Sequence, residues 1–436
     1  MAFHTTRTLT DLPPELLHLI LRYMRRDKHY VASCSRTCRL LRAVALEHLD
    51  FRRVSLTGVT TFDTFLQFLR KYPRVAKTVI SVYLGGEIED NVYSPITTID
   101  DTLVVSIVEL LPKLDYLALH SFCYVMRTDL SAARCREPIP LSSLVIGDHF
   151  HDKSSLTGIF RVLSLFTPRD TDRLELERFD IEESFQPQYL HRPLEFRRLC
   201  LQESDSPKHT ALTLQALSVS VKSNSLRELH VQVDSKQTVI ALGQLLRSAG
   251  RRLTTLTIED DDGYVSSLKG DWKKLNLSAC KTLRYITLPM VYRQNPKRPL
   301  SETLVKILGK APPSLRKITI RVYGMLRATT IGNRKVFKIN DFDKLLSPER
   351  FPHLQVFELV IGPHGRLRYR NGYWATCFAS AQRALKGLHE RGLLRMKKLQ
   401  RDLPAELLHI IISESAPHKQ PVQCCHSLAV FYGKWR

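Results

Sequence analysis

The stretch LRELHV, residues 226–231, indicates the fold of this chain, because its arrangement of apolar residues recurs many times. Apolar residues occupy the first, fourth and sixth positions, a pattern that predicts a short strand. The same pattern begins at seven other positions, namely Leu114, Leu141, Phe196, Leu253, Leu283, Leu315 and Leu354. Helical spacing of apolar residues separates these stretches, as at 103–111, 159–166, 212–221, 239–246 and 303–308. The sequence therefore predicts one strand and one helix about every 30 residues.

A single unit of this size cannot bury the apolar faces of both its strand and its helix. Stacking successive units gives a continuous core. We therefore expect an α/β fold in which residues 60–395 form an irregular solenoid with a curved parallel sheet. A doubly wound α/β domain also alternates strands and helices. The nearly fixed interval and the lack of a glycine-rich phosphate loop after any strand favour the solenoid.

The first 55 residues have a different pattern, which predicts a compact helical segment. Asp11 is a favourable cap, Pro13 suits a first turn, and Glu15 favours a helix N-terminus. Apolar residues then recur at helical spacing, and a second helical stretch follows after a charged turn at 25–28. So small a segment cannot cover its own apolar surface. It either docks on a partner or caps the open end of the repeat array.

This N-terminal segment resembles an F-box over residues 8–55. The resemblance rests on LPPELL at 12–17, on Ile20-Leu21 in the next turn, and on CSRTCRLLR at 34–42. Leu41 stands where the family usually has tryptophan. The resemblance implies that the segment binds the Skp adaptor of Skp–cullin–F-box ubiquitin ligases, and a cullin through that adaptor. The residues implied in adaptor binding are Leu12, Pro13, Glu15, Leu16, Leu17, Ile20, Leu21, Cys38 and Leu41.

An F-box followed by leucine-rich repeats resembles a divergent class of F-box proteins that is abundant in fungi. The resemblance implies that the repeats bind a target protein for ubiquitination, so the chain is expected to be a substrate-recognition subunit. The alternative is a basic leucine-rich-repeat scaffold that binds an acidic protein or nucleic acid without a role in a ligase.

The C-terminal residues 402–436 resemble a second F-box. Residues 402–412 repeat residues 11–21, with eight of eleven positions identical, and Trp435 resembles the conserved tryptophan of the family. The copy ends before a last helix, so we expect a degenerate helical cap on the last repeat rather than a second adaptor site. A coincidental helix start is the alternative, since proline and glutamate favour a first turn.

The charge balance points to an acidic partner. The chain contains 65 Lys and Arg residues against 43 Asp and Glu residues, a formal net charge of +22. The excess is concentrated in the last third, where we expect Arg316, Lys317 and Arg321 to form a basic surface for an acidic or phosphorylated protein. A solvated basic surface without a ligand is the alternative. No nucleic-acid-binding motif is present, so nucleic acid is not the expected partner.

The sequence lacks the motifs of the common enzyme classes, and we expect neither catalysis nor a cofactor. Cys34 and Cys38 lie on an apolar helix face, and Cys424-Cys425-His426 has no second pair at zinc spacing, so no metal site is expected. No apolar run is long enough to span a bilayer, and the first residues contain no signal-peptide core. The chain contains nine cysteines, and this odd number argues against a framework of disulfides and favours a reducing compartment. We therefore expect a cytoplasmic or nuclear protein without a membrane partner.

Overall fold

The computed structural model describes two compact units. The residues that it describes are 9, 12–24, 28–48, 51–89, 94–95, 97–126, 137–147, 154–177, 185–202, 207–260, 271–292, 299–325, 327–363 and 372–399. The first unit comprises the described residues of 1–87 and 106–119, and the second comprises those of 88–105 and 120–402. The predicted C-terminal cap at 402–436 lies outside the described residues.

The first unit combines a helical module with a small parallel sheet. Its helices are α1 (Pro14–Met24), α2 (Lys28–Ser35), α3 (Arg39–His48), α4 (Asp63–Lys71) and α5 (Pro73–Ala76). Its strands are β1 (Arg53–Val59), β2 (Ser81–Gly86) and β6 (Tyr116–His120), in the sheet order β1–β2–β6. β1 and β2 are parallel, with Leu56 opposite Leu84.

The second unit is built around a long parallel sheet whose strand order follows the chain. Its nine described strands are β8 (Ile139–Gly147), β9 (Phe166–Leu176), β10 (Arg198–Leu201), β11 (Glu228–Gln232), β12 (Thr255–Glu259), β13 (Tyr285–Val291), β14 (Lys317–Met325), β15 (Val356–Pro363) and β16 (Leu394–Lys398). Short pairs are formed by β3 (Ile88–Glu89) with β4 (Ser94–Pro95), and by β5 (Thr98–Ile99) with β7 (Cys123–Tyr124).

Helices precede most of these strands. The α-helices are α6 (Asp101–Glu109, shared between the two units), α7 (Leu156–Leu163), α8 (Pro207–Ser220), α9 (Lys236–Ala249), α10 (Ser301–Leu308), α11 (Asp341–Leu345), α12 (Tyr373–Ala384) and α13 (Lys386–Glu390). Turns of 3₁₀ helix occur at Pro187–Tyr189, Gly250–Arg252, Asp271–Leu275, Leu277–Ala279 and Ala328–Gly332. The five helical stretches predicted from the sequence are thereby confirmed.

The register of the sheet explains the repeated apolar pattern. The fourth residue of the motif aligns between neighbouring strands in a single row, to which seven of the eight motifs contribute Leu144, Leu199, Leu229, Leu256, Ile286, Ile318 and Phe357, and β9 contributes Leu174. All eight side chains are buried. All eight predicted strands are confirmed. Within this unit the strand order does not reverse, whereas a doubly wound sheet reverses at its switch point.

Two weaker members of the pattern, Leu174-x-Leu176 and residues 79–82, correspond to β9 and β2, whereas β1, β16 and the short strands β3, β4, β5 and β7 have no predicted counterpart. Residues 51–56, FRRVSL, have the apolar spacing of the other strands, but they adjoin the F-box-like segment and were assigned to it. In β16 the first apolar position of the motif is Arg391, so the pattern is incomplete. Leu394 still aligns with Phe357, because the register of β15 positions the strand.

A buried charge cluster joins the start of α6 to α7 in the second unit. Asp101 Oδ2 accepts hydrogen bonds from Arg161 Nη2 at 2.6 Å and Nε at 3.1 Å, and it lies 2.8 Å from His191 Nε2. The side chains of Asp101 and Arg161 are each only 2% exposed. Burial acts to raise the pKa of the Asp101 carboxyl, but the contacts to His191 and Arg161 outweigh it and hold that pKa below its usual value.

Gly243, in the middle of α9, permits a close contact between this helix and a neighbouring 3₁₀ turn. A Cβ atom at this position would lie 1.7 Å from the carbonyl oxygen of Lys274, in the adjoining 3₁₀ turn. Asn276 Nδ2 donates a hydrogen bond of 3.0 Å to the Gly243 carbonyl and fixes the approach. Because glycine has no side chain, α9 and the 3₁₀ turn can approach each other this closely.

Replacing Gly243 with alanine is expected to destabilise the protein by about 3 kcal/mol, because the backbone of the 3₁₀ turn must move. The matched control is Gly387→Ala, where a Cβ would meet Asp343 atoms no closer than 3.4 Å. Thermal unfolding of both variants checks the prediction. Equal melting temperatures for the two variants would contradict it.

Candidate functional site

The helical module of the first unit has its own apolar core. Helices α1, α2 and α3 surround a cluster of buried side chains made of Leu17, Leu21, Val31, Leu41, Val44 and Ala45. Leu12, Met24, Cys34 and Cys38 are partly buried and pack against this cluster. Helical spacing places Leu17, Leu21 and Met24 on one side of α1, which is why that side faces α3.

A second side of α1, which flanks the buried one, is also apolar but exposed. Leu16 is 45% exposed, Leu19 47% and Tyr23 81%, and their helical spacing aligns them with the half-buried Ile20 in one stripe. We call these four residues the α1 stripe. Further exposed apolar side chains on the module are Leu9, Tyr30 and Leu40. Such a concentration of exposed apolar residues is typical of a surface that binds a partner.

Polar contacts hold the three helices in place behind this stripe. His18 Nδ1 lies 3.0 Å from His48 Nε2, which connects α1 to α3. Arg42 Nε donates a hydrogen bond of 3.1 Å to the carbonyl oxygen of Ser35, which connects α3 to α2. The orientation of α1 is therefore supported by both apolar packing and side-chain hydrogen bonds.

The structure divides the residues predicted to bind an adaptor into two groups. Pro13, Glu15 and Leu16 are exposed, and Ile20 is half-buried on the same side of α1. Leu17, Leu21 and Leu41 are buried in the core of the module itself and present no surface to a partner. For these three residues adaptor binding stays a prediction, and the observed packing assigns their side chains to the core of the module.

Leu12 and Cys38 are half-buried against the same core, and Cys38 Sγ accepts a hydrogen bond of 3.4 Å from the backbone N–H of Leu41. Leu19, Tyr23, Tyr30 and Leu40 were absent from the prediction, although they are exposed on the module. Helical phase alone separates the two sides of α1, so the stripe is derivable from the sequence once the core face is known.

The comparisons with known proteins agree with this arrangement. Residues 9–57 match the F-box-like family, a span that covers α1, α2, α3 and most of β1. A search of curated proteins returned no match. The chain thus contains an F-box-like domain, the domain type of F-box and Skp ubiquitin-ligase complexes. No helix in the described part of the chain has the length and apolar character required to cross a membrane.

The predicted basic surface in the second unit contains paired charges. Lys317 Nζ lies 2.8 Å from Glu358 Oε2, and Lys397 Nζ lies 2.9 Å from Glu358 Oε1. Burial acts to raise the pKa of the Glu358 carboxyl, but hydrogen bonds from the two lysines outweigh it and keep that pKa below its usual value. Lys317 and Lys397 therefore share the single negative charge of Glu358.

Arg321 is paired in the same way, with the Glu259 carboxylate. Of the three residues predicted for the basic surface, only Arg316 is exposed and has no carboxylate partner among the described residues. Binding of an acidic partner by Lys317 and Arg321 stays a prediction, and both side chains already contact a carboxylate of the chain itself. The strand order places Glu358 on β15, next to Lys317 on β14, whereas Glu259 on β12 reaches Arg321 across the intervening strand β13.

Glu259, the partner of Arg321, also contacts a histidine, and the three residues form a charge cluster. His230 Nε2 lies 3.2 Å from Glu259 Oε2, and His230 is opposite Cys200 in the register of β10 and β11. Burial acts to lower the pKa of His230, but hydrogen bonds to Cys200 and Glu259 outweigh it and raise that pKa to about 9. The imidazole is therefore charged at neutral pH and stabilises the folded state.

The pH dependence of stability tests this cluster. A pKa that folding raises from 6.5 to about 9 contributes stability that is complete below pH 6.5 and is lost as the pH rises through 9. The melting temperature of the native chain should exceed that of His230→Gln by a margin that shrinks over this range. The margin should be modest, since His230 is 40% exposed and solvent screens its charge. A margin that is constant between pH 6 and pH 10 would contradict the prediction.

Proposed function

We propose that this protein is the substrate-recognition subunit of a Skp–cullin–F-box ubiquitin ligase. The α1 stripe and its exposed neighbours dock the Skp adaptor, which connects the chain to a cullin. The single observation that carries the proposal is the coincidence of the F-box-like match at 9–57 with an exposed apolar face on the helices of that same segment.

In this proposal the parallel sheet and its helices form an irregular leucine-rich-repeat solenoid that binds the target protein. Support comes from the regular recurrence of one motif, from the chain-order sequence of the strands and from the buried rows that align across them. The chain itself performs no chemistry. It accelerates ubiquitin transfer by holding the target close to a ubiquitin-conjugating enzyme.

A second candidate function is a basic repeat scaffold that binds an acidic partner without a ligase. The net charge of +22 favours it. The two functions differ in one measurable property, which is binding of a purified Skp adaptor to the full chain. We expect a scaffold not to bind that adaptor, whereas a receptor subunit must bind it through the helical module.

A further inference from the structure

Four arginines line one edge of the parallel sheet in the second unit, namely the edge at which the strands begin. Arg197, Arg227, Arg284 and Arg316 each immediately precede a strand, namely β10, β11, β13 and β14. Thr254 holds the corresponding place before β12. We call these five residues the arginine row.

Backbone hydrogen bonds join the row into a continuous ladder. The N–H of Arg227 donates to the carbonyl of Arg197 at 2.8 Å, and that of Thr254 donates to Arg227 at 2.7 Å. Arg284 donates to Thr254, and Arg316 donates to Arg284, each at 2.8 Å. Since neighbouring strands are about 4.8 Å apart, the arginines lie at steps of about 5 Å, with one step of about 10 Å across Thr254.

The charge of this edge is not balanced locally. Arg284 and Arg316 are exposed, Arg227 is half-buried, and none of the three has a carboxylate partner in the described part of the chain. The turns that lead into the strands add further exposed cations, which are Arg251, Arg252 and Lys281. The nearby carboxylates are already engaged, Glu195 by Lys222 at 2.6 Å and Glu228 by Arg198 at 3.3 Å.

Hydroxyl groups hold the turns of this edge in place. Thr254 Oγ1 donates to the carbonyl of Arg227 at 3.0 Å, and Thr282 Oγ1 donates to that of Arg251 at 3.1 Å. Ser314 Oγ donates to the carbonyl of Leu283 at 2.8 Å. The arginine backbones are thus fixed before any ligand binds, which reduces the ordering cost of binding.

We propose that the arginine row binds an extended acidic segment of a partner protein. Carboxylates on an extended peptide recur at about 3.4 Å or, on one side, about 6.8 Å, within reach of long arginine side chains at these steps. Guanidinium groups also bind carboxylates with paired hydrogen bonds. A single-stranded nucleic acid is less well matched, since it needs stacking surfaces, and Tyr285 is the one exposed aromatic residue among the described residues of these turns and strand starts.

The acidic segment belongs to the target protein, a role that rests on the receptor function proposed above. The test of the arginine row does not involve the adaptor, so the two proposals fail separately. The probe is a fluorescein-labelled peptide of twelve glutamates, and its binding to the full chain is followed by fluorescence anisotropy. Competitors are a twelve-residue glutamine peptide and a single-stranded DNA oligonucleotide.

The native chain should bind the glutamate peptide, and binding should weaken between about 50 mM and about 200 mM salt because the charges are screened. Arg284→Glu/Arg316→Glu should weaken binding at least about tenfold. The matched control, Lys386→Glu/Arg391→Glu, changes the net charge equally at exposed positions of α13 and its following turn, and it should change affinity less than about twofold.

Arg284→Gln/Arg316→Gln is a milder variant, because it removes the two positive charges without adding negative charges. Thermal unfolding checks that each variant is folded. Absence of peptide binding by the native chain would overturn the proposal. Equal weakening in the control would also overturn it, since the long-range charge of the protein would then explain the binding. Preferential binding of the oligonucleotide, lost in the arginine variants, would assign the row to nucleic acid instead.

Discussion

Leu16→Glu/Tyr23→Glu is expected to weaken binding of a purified Skp adaptor about 100-fold while the chain stays folded. Both residues belong to the α1 stripe, where Leu16 is 45% exposed and Tyr23 81% exposed. An exposed residue tolerates glutamate in the free protein, but a charge buried in an apolar interface costs several kcal/mol. Binding is measured by calorimetry with the full chain, and folding by thermal unfolding.

The matched control is Val219→Glu in α8 of the second unit. Val219 is 65% exposed, so this variant also adds a charge at an exposed apolar position, but outside the helical module. It should bind the adaptor as the native chain does. If the stripe variant also binds normally and is folded, the stripe is not the docking surface and the proposed ligase function loses its structural basis.

The largest loss of stability is expected from Asp101→Ala, at about 3–5 kcal/mol. Asp101 provides the carboxylate that both Arg161 and His191 contact, at 2.6 Å and 2.8 Å, and its side chain is 2% exposed. Its removal leaves the buried guanidinium without this partner, and it also removes an acidic residue from the first turn of α6.

Glu390→Ala is the control for this prediction. Glu390 forms an ion pair of 3.6 Å with Lys386, but the two side chains are 62% and 78% exposed. Exposed pairs contribute little, so its effect should stay below about 1 kcal/mol. Urea unfolding of both variants gives the comparison, and similar midpoints would show that the buried cluster is not an important source of stability.

Much of the local structure was predictable from the sequence. The eight strand motifs and five helical stretches are visible because strand and helix each impose a short period on apolar residues. The strand β1 shows the limit of such patterns. FRRVSL at 51–56 fits the strand motif, but it also adjoins a helical segment, and local spacing alone did not decide between the two.

The candidate surfaces were only partly predictable. Leu16 and Leu17 are adjacent leucines, but Leu16 is exposed and Leu17 lies in the core of the module. Lys317 and Arg316 are adjacent cations, of which Lys317 is paired with Glu358 and Arg316 is exposed in the arginine row. Such differences depend on neighbours that are distant in sequence.

The sequence by itself determined the helical F-box-like segment, the alternation of strands with helices and the positive charge. These properties follow from the order of residues over a few turns or strands. Only the tertiary structure decided which side of α1 is free and which cations remain unpaired. The physical reason is that burial and charge pairing depend on helix packing and strand register, which bring Arg284 and Arg316 to one edge and Glu259 beside Arg321.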